Sequence, residues 1–78
     1  MSVRVRYFAA AAEAAGTDAE DRTEPTLAAL RAAVVADHPA LGGILDRCAV
    51  LVDGTRHDDD VPLDGVTYVD VLPPFAGG

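Results

Sequence analysis

Lysine and tryptophan are absent, cysteine occurs once, and aromatic side chains are limited to two Phe and two Tyr. With so few rings, a core has to be assembled from Val, Leu, Ile and Ala. A single thiol, Cys48, excludes an internal disulfide and fits a reducing compartment. Positive charge is also scarce: six arginines stand against thirteen acids, a formal net of −7. Nucleic-acid binding needs clustered basic groups to neutralise phosphate, so that class is excluded. The acidic field suits basic protein partners or simple solubility.

No stretch approaches the ~20 apolar residues of a membrane span. Arg4 and Arg6 precede an Ala-rich run, but Glu13 interrupts it and its apolarity is too weak for a secretory signal. The expectation is a cytoplasmic chain without membrane contact. Half of the 78 residues are apolar, which describes one folded domain rather than a disordered segment. A domain this small buries only about 60% of its unfolded surface and has little room for an interior catalytic cavity.

What is there divides into short elements. Val3, Val5 and Tyr7 alternate with Arg4 and Arg6, predicting a half-buried strand over 2–8. Ala9 to Ala15 reads as a short helix stopped by Gly16. Residues 17–23 are polar and acidic, and are expected to form an edge strand or a loop. Thr26 is placed to cap a main helix whose Leu27, Leu30, Val34 and Val35 share one face and which His38-Pro39 ends. A helical turn over 40–47 follows.

Cys48 to Val52 is apolar and leads into Asp53-Gly54, a hairpin turn signal, with a return through Thr55 to His57. A charged loop at 58–60, an apolar crossing at 61–63 and a turn at Asp64-Gly65 precede a last strand over 66–72. On that strand Thr67, Val69 and Val71 should share one face, with Tyr68, Asp70 and Leu72 on the other. The fold class is α+β, one mixed sheet covered by a helix.

Few side chains suggest chemistry. Cys48 opens an apolar strand, where a thiol is core material; a reactive one needs a nearby cation to lower its pKa. His57 with Asp58, Asp59 and Asp60 has the composition of a metal cluster but lacks a binding framework such as the EF-hand pattern, so a solvated loop is expected. His38 at a helix end needs no further role. There is no G-x-S-x-G, no phosphate-binding loop and no C-x-x-C.

The remaining feature is the ending, Pro73, Pro74, Phe75, Ala76, Gly77 and Gly78. Proline favours an extended path, and glycine has no Cβ to block close approach to its backbone. Such a tail can enter a narrow channel and present the Gly78 carboxylate. Two terminal glycines arise by chance in roughly 0.5% of chains, and loose small-residue ends are ordinary, so the dipeptide needs its context. If the terminus forms amide bonds, the chain offers no side-chain amine of its own as a target.

The context is a resemblance that covers essentially the whole chain. It runs through Val3-Arg4-Val5-Arg6-Tyr7-Phe8-Ala9, the helix ending at Gly16-Thr17, the Thr26-Leu27 helix ending at His38-Pro39, Leu51-Val52-Asp53-Gly54, Pro62-Leu63-Asp64-Gly65 and the diglycine tail. Together these resemble the small ubiquitin-like sulfur carriers of β-grasp fold, most closely the sulfur-carrier small subunits of molybdopterin synthase. Asp53 departs from the Asn common at that turn, and the second strand is less apolar than usual.

The resemblance implies a β-grasp domain over 1–72, with four to five strands, one main helix, short extra helices and a flexible tail over 73–78. It implies that Gly78 is adenylated and converted to a thiocarboxylate, whose sulfur goes to cyclic pyranopterin monophosphate to form the molybdopterin dithiolene. Gly77 would be a slim spacer, Phe75 an interface anchor, and Ala76, Pro74 and Pro73 the rest of the inserted tail.

The implied partners are a large catalytic subunit in a heterotetramer of two small and two large chains, a ubiquitin-activating-like adenylyltransferase that uses ATP, and a persulfide sulfur donor. No cofactor or metal would be held by this chain, and it would not be an enzyme alone. Two other readings stay open: a sister carrier for thiamine thiazole or cysteine biosynthesis, and an acidic β-grasp module that only binds proteins.

Overall fold

The computed structural model describes residues 2–74. Strand β1 spans Val3–Tyr7, helix α1 Ala10–Ala15, strand β2 Ala19–Arg22 and helix α2 Leu27–Asp37. Two 3-10 helices, Pro39–Gly43 and Leu45–Arg47, lead to strands β3 (Ala49–Val52), β4 (Thr55–Arg56) and β5 (Tyr68–Leu72). The sheet order is β2-β1-β5-β3-β4, with β1 and β5 parallel and every other pairing antiparallel. First and last strands thus lie side by side in the middle, and α2 packs across one face. This is the β-grasp arrangement.

The alternation in β1 sets which side is dry. Val3, Val5 and Tyr7 are buried with Val69 and Val71 of β5 and Val50 and Val52 of β3. Leu27, Leu30 and Val34 of α2 close over them, as their helical spacing requires. Each such aliphatic side chain contributes about 1.5–3 kcal/mol on full burial. Ala11, Leu41, Leu45 and Leu63 complete the core.

Helix α2 starts with its backbone donors satisfied. The Leu27 N–H donates to the Val61 carbonyl at 2.9 Å, the Ala28 N–H to Asp60 Oδ1 at 2.7 Å, and the Ala29 N–H to Thr26 Oγ1 at 3.2 Å. Thr26 is therefore the N-cap anticipated from its position. Asp60 belongs to the charged loop expected to be merely solvated, and it has a capping role instead. At the far end the His38 N–H donates to Val34 before Pro39 stops the helix.

Several boundaries differ from the sequence-based expectation. Residues 19–22 form a true edge strand, in register with β1 through Val3↔Arg22 and Val5↔Glu20. The turn over 40–47 is two 3-10 helices, and Cys48 precedes β3 rather than opening it. Strand β5 begins at Tyr68; just before it the Thr67 N–H donates to the Asp53 carboxylate at 3.0 Å, while the Thr67 carbonyl accepts from the Arg4 N–H at 3.1 Å. Thr67 is exposed and does not share the buried face of Val69 and Val71.

Two turns use left-handed backbone. Asp53 and Gly54 both have positive φ, 48° and 85°, the type I′ geometry that a two-residue hairpin loop favours. Ala9, between β1 and α1, has φ 50° and ψ −124°, and the Ala11 N–H donates to the Phe8 carbonyl at 3.0 Å. That is a type II′ turn with alanine where glycine is preferred. Backbone strain of this kind costs on the order of 1–3 kcal/mol, and glycine would relieve it while adding unfolded-state entropy. Ala9→Gly is expected to stabilise the domain by about 1 kcal/mol, read as a higher urea midpoint; a lower midpoint would show the turn to be unstrained.

Candidate functional site

Strand β5 carries the chain to its C-terminal segment from the centre of the sheet. Its last residues are held on both sides: Leu72 pairs with Ala49 of β3, and the Phe8 N–H donates to the Val71 carbonyl at 3.2 Å. Pro73 then brings no N–H to the ladder, which ends there. Pro73 is buried and Pro74 exposed. The expected site residues Phe75, Ala76, Gly77 and Gly78 lie outside the described residues. Beside the exit, Phe8 is 39% exposed, the one large apolar side chain so exposed among the described residues. It borders a shallow depression lined also by Arg6, Tyr7, Ala9, Ala12 and Asp18.

The other residues considered from sequence take structural parts. Cys48 is buried, and its Sγ–H donates to the Ile44 carbonyl at 3.3 Å. Burial pushes its thiol pKa up, with Arg31 opposing, which disfavours the reactive thiolate. Asp58 pairs with Arg56 at 3.4 Å, while Asp60 caps α2. Among the described residues no group of three or more His, Cys, Asp or Glu is placed to hold a metal ion. Nor is any helix there long and apolar enough to cross a membrane.

One constellation was not anticipated. Glu20 on β2 accepts from the Tyr7 hydroxyl at 2.7 Å and from His38 Nε2 at 2.6 Å on one oxygen, and from Arg22 at 3.1 Å on the other. Arg22 also grips Glu24 with two bonds, 2.9 and 3.1 Å, and Asp37 at 2.6 Å. His38 meets the Tyr7 ring edge-on at 6.1 Å. The helix-end histidine, expected to need no further role, therefore bonds to Glu20. No local signal in the sequence pairs these residues; the register does, placing Glu20 opposite Val5 on the helix-facing side of the sheet.

The sequence profile described as the ThiS family matches residues 5–78. The chain belongs to the ThiS family. A relative described as the molybdopterin synthase sulfur carrier subunit, from Chlamydomonas reinhardtii, is 31% identical over 87 residues and is matched along 100% of both chains. Among solved structures, one chain of a protein-protein complex of subunits 1 and 2 of molybdopterin-converting factor from Helicobacter pylori is similar with TM-score 0.74 and 29% identity, covering 100% of this chain and 100% of that one. SAMP1 from Haloferax volcanii superposes with TM-score 0.75 at 24% identity, again over 100% of both chains, a likeness of fold.

In this ThiS-family chain the Glu20 cluster joins the edge strand to the end of α2 electrostatically. Partial burial on its own would raise the Glu20 pKa, but the bonds from Tyr7, His38 and Arg22 outweigh it and hold the carboxyl below its ordinary value of 4.5. Burial and the Glu20 carboxylate together push the Tyr7 hydroxyl up. A carboxylate with a depressed folded pKa adds stability above its unfolded pKa and loses it as pH falls through the folded value. Urea midpoints should therefore drop as the pH is taken below 4.5. Glu20→Gln should be less stable at neutral pH but show a shallower acid loss; equal steepness in the two proteins would remove Glu20 as a source of the acid sensitivity.

Proposed function

We propose that this chain is a sulfur carrier, the small subunit of a molybdopterin synthase, and that the carboxylate of Gly78 is its working group. The observation that carries the reading is the end-to-end match to the sulfur carrier subunit of Chlamydomonas reinhardtii, in a chain whose family match runs through Gly78. The similarity to a chain of the two-subunit Helicobacter pylori complex supports a large-subunit partner.

The chemistry follows from the weakness of a carboxylate as an electrophile. An activating enzyme transfers AMP from ATP to Gly78 and releases pyrophosphate, which turns the carboxylate oxygen into part of a leaving group. The terminal sulfur of a persulfide displaces AMP, and cleavage of the sulfur–sulfur bond by a thiol leaves a thiocarboxylate. The tail then enters the large subunit, where cyclic pyranopterin monophosphate takes one sulfur from each of two such tails to build the dithiolene of molybdopterin, and water returns each Gly78 to the carboxylate.

Gly77 and Gly78 let the backbone pass a narrow channel. Pro73 and Pro74 stiffen the departure from β5, and Phe75 anchors the tail against the partner. General acid and base groups come from the large subunit, in an assembly of two small and two large chains. ATP binds to the activating enzyme, and this chain holds no cofactor.

Incubation with ATP, an activating enzyme and a sulfide source should give an intact mass in which one terminal oxygen is replaced by sulfur. A chain lacking Gly77 and Gly78 should melt like the full chain, gain no sulfur and support no conversion of cyclic pyranopterin monophosphate. Conversion by the shortened chain would return the reading to a binding module. In a deletion strain, thiazole or cysteine auxotrophy with intact molybdoenzyme activity would assign the carrier to a sister pathway.

A further inference from the structure

Among the described residues the sheet face opposite α2 carries no helix, and the register places one row of side chains across all five strands: Ala19, Arg6, Asp70, Leu51 and Arg56. At its centre Arg6 Nε lies 2.5 Å from Asp70 Oδ1, and Nη2 lies 2.8 Å from Oδ2. The guanidinium carbon sits 4.1 Å from the centroid of the Tyr68 ring. Arg6 is 42% exposed and Asp70 only 12%. The guanidinium is thus fixed by a two-pronged bond below and an aromatic plane beside it, with Nη1 outside that pair.

Charge is segregated around this row. The face holds Arg4, Arg6 and Arg56 against Asp21 and Asp70, a net of +1, so the remaining residues of a chain with formal net −7 carry −8. Asp18, just before β2, and Asp53, in the β3–β4 turn, are exposed at its margin. Toward the end of β5 the face becomes apolar, with Leu72, Ala49 and the exposed Phe8 next to Pro73. The Arg6 end of the pair is open while Asp70 is nearly buried, and buried Val5, Tyr7, Val69 and Val71 also hold β1 against β5.

We propose that the Arg6–Asp70 pair is the specificity-determining contact of this face, by which the chain selects the large subunit that receives its tail; the inference rests on the sulfur-carrier reading. Asp70 already neutralises Arg6, so the partner has to supply a neutral oxygen acceptor, a main-chain carbonyl or a carboxamide, to the Nη1 hydrogens. Its surface is apolar opposite Phe8, Leu72 and Leu51 and basic where it meets the acidic margin. An apolar pair at these two positions would bind any greasy surface, whereas a fixed guanidinium rejects one that lacks the acceptor. A planar, two-pronged guanidinium is also a directional donor that lysine cannot copy.

The test uses the full chain and the large subunit from the same source, with calorimetric binding, steady-state kinetics of molybdopterin formation and melting of each variant. Arg6→Leu and Arg6→Lys should each raise the Kd for the large subunit by roughly tenfold or more. KM for the carrier should rise while kcat is retained, and acquisition of sulfur at Gly78 should be unchanged. The reciprocal double variant, R6D with D70R, keeps a salt bridge across the same strands and moves the guanidinium one strand over. It should fold yet still bind weakly. Wild-type affinity in the reciprocal variant, or in a folded Arg6→Leu chain, would overturn the proposal. Failure of the unaltered chain to bind the large subunit or to acquire sulfur would instead bring down the sulfur-carrier reading beneath it.

Discussion

The parallel ladder between β1 and β5 is the contact on which the rest of this molecule depends. It brings the first and last strands together in the middle of the sheet, with Val5 opposite Val69 and Tyr7 opposite Val71. Parallel pairs need a long crossover, and everything from α1 to β4 supplies it. The helix-facing side of the ladder is the core, and the other side is the uncovered face. The same ladder, with its closing bond from Phe8 to Val71, fixes where the C-terminal segment departs. Core, surface and exit are therefore consequences of one pairing.

The edge of the sheet is held by different physics. Strand β2 has no apolar face to bury, so burial cannot explain why it stays in place. Its helix-facing residues, Glu20 and Arg22, engage His38 and Asp37 at the end of α2 and the Tyr7 hydroxyl from β1. Charge-assisted hydrogen bonds of this kind are stronger than neutral ones, and no buried side-chain polar atom among the described residues lacks a partner. An edge built this way also resists pairing with other chains, because its outward positions carry charge such as Asp21.

Local periodicity made much of this legible in the sequence. Val3, Val5 and Tyr7 announced β1, Leu27, Leu30 and Val34 announced α2, and Asp53-Gly54 announced the hairpin, because each signal is complete within a few residues. What escaped depends on partners far away along the chain. Asp60 caps α2 across 32 positions, and Glu20 meets His38 across 18. Asp53 was read only as a turn former, yet its carboxylate accepts from the Thr67 and Tyr68 N–H groups where β5 starts. Polarity made residues 17–23 ambiguous, since a network and a loop have the same composition. For the candidate site, the exit and its prolines were legible as an interruption of strand chemistry, while the open face became visible only once register put Arg6 beside Asp70.

The central ladder also bears on how the chain comes to be folded. Arg6 and Asp70 touch across 64 positions, and ordering so long a loop has to precede the contacts that repay it. During synthesis β1 emerges before the rest of the sheet, its apolar face without the β5 partner, until β5 has followed the elements between them. Helix α2 and the β3–β4 hairpin can form earlier as local structure, but the sheet cannot close around them. The domain therefore closes only once its last strand is available, rather than strand by strand.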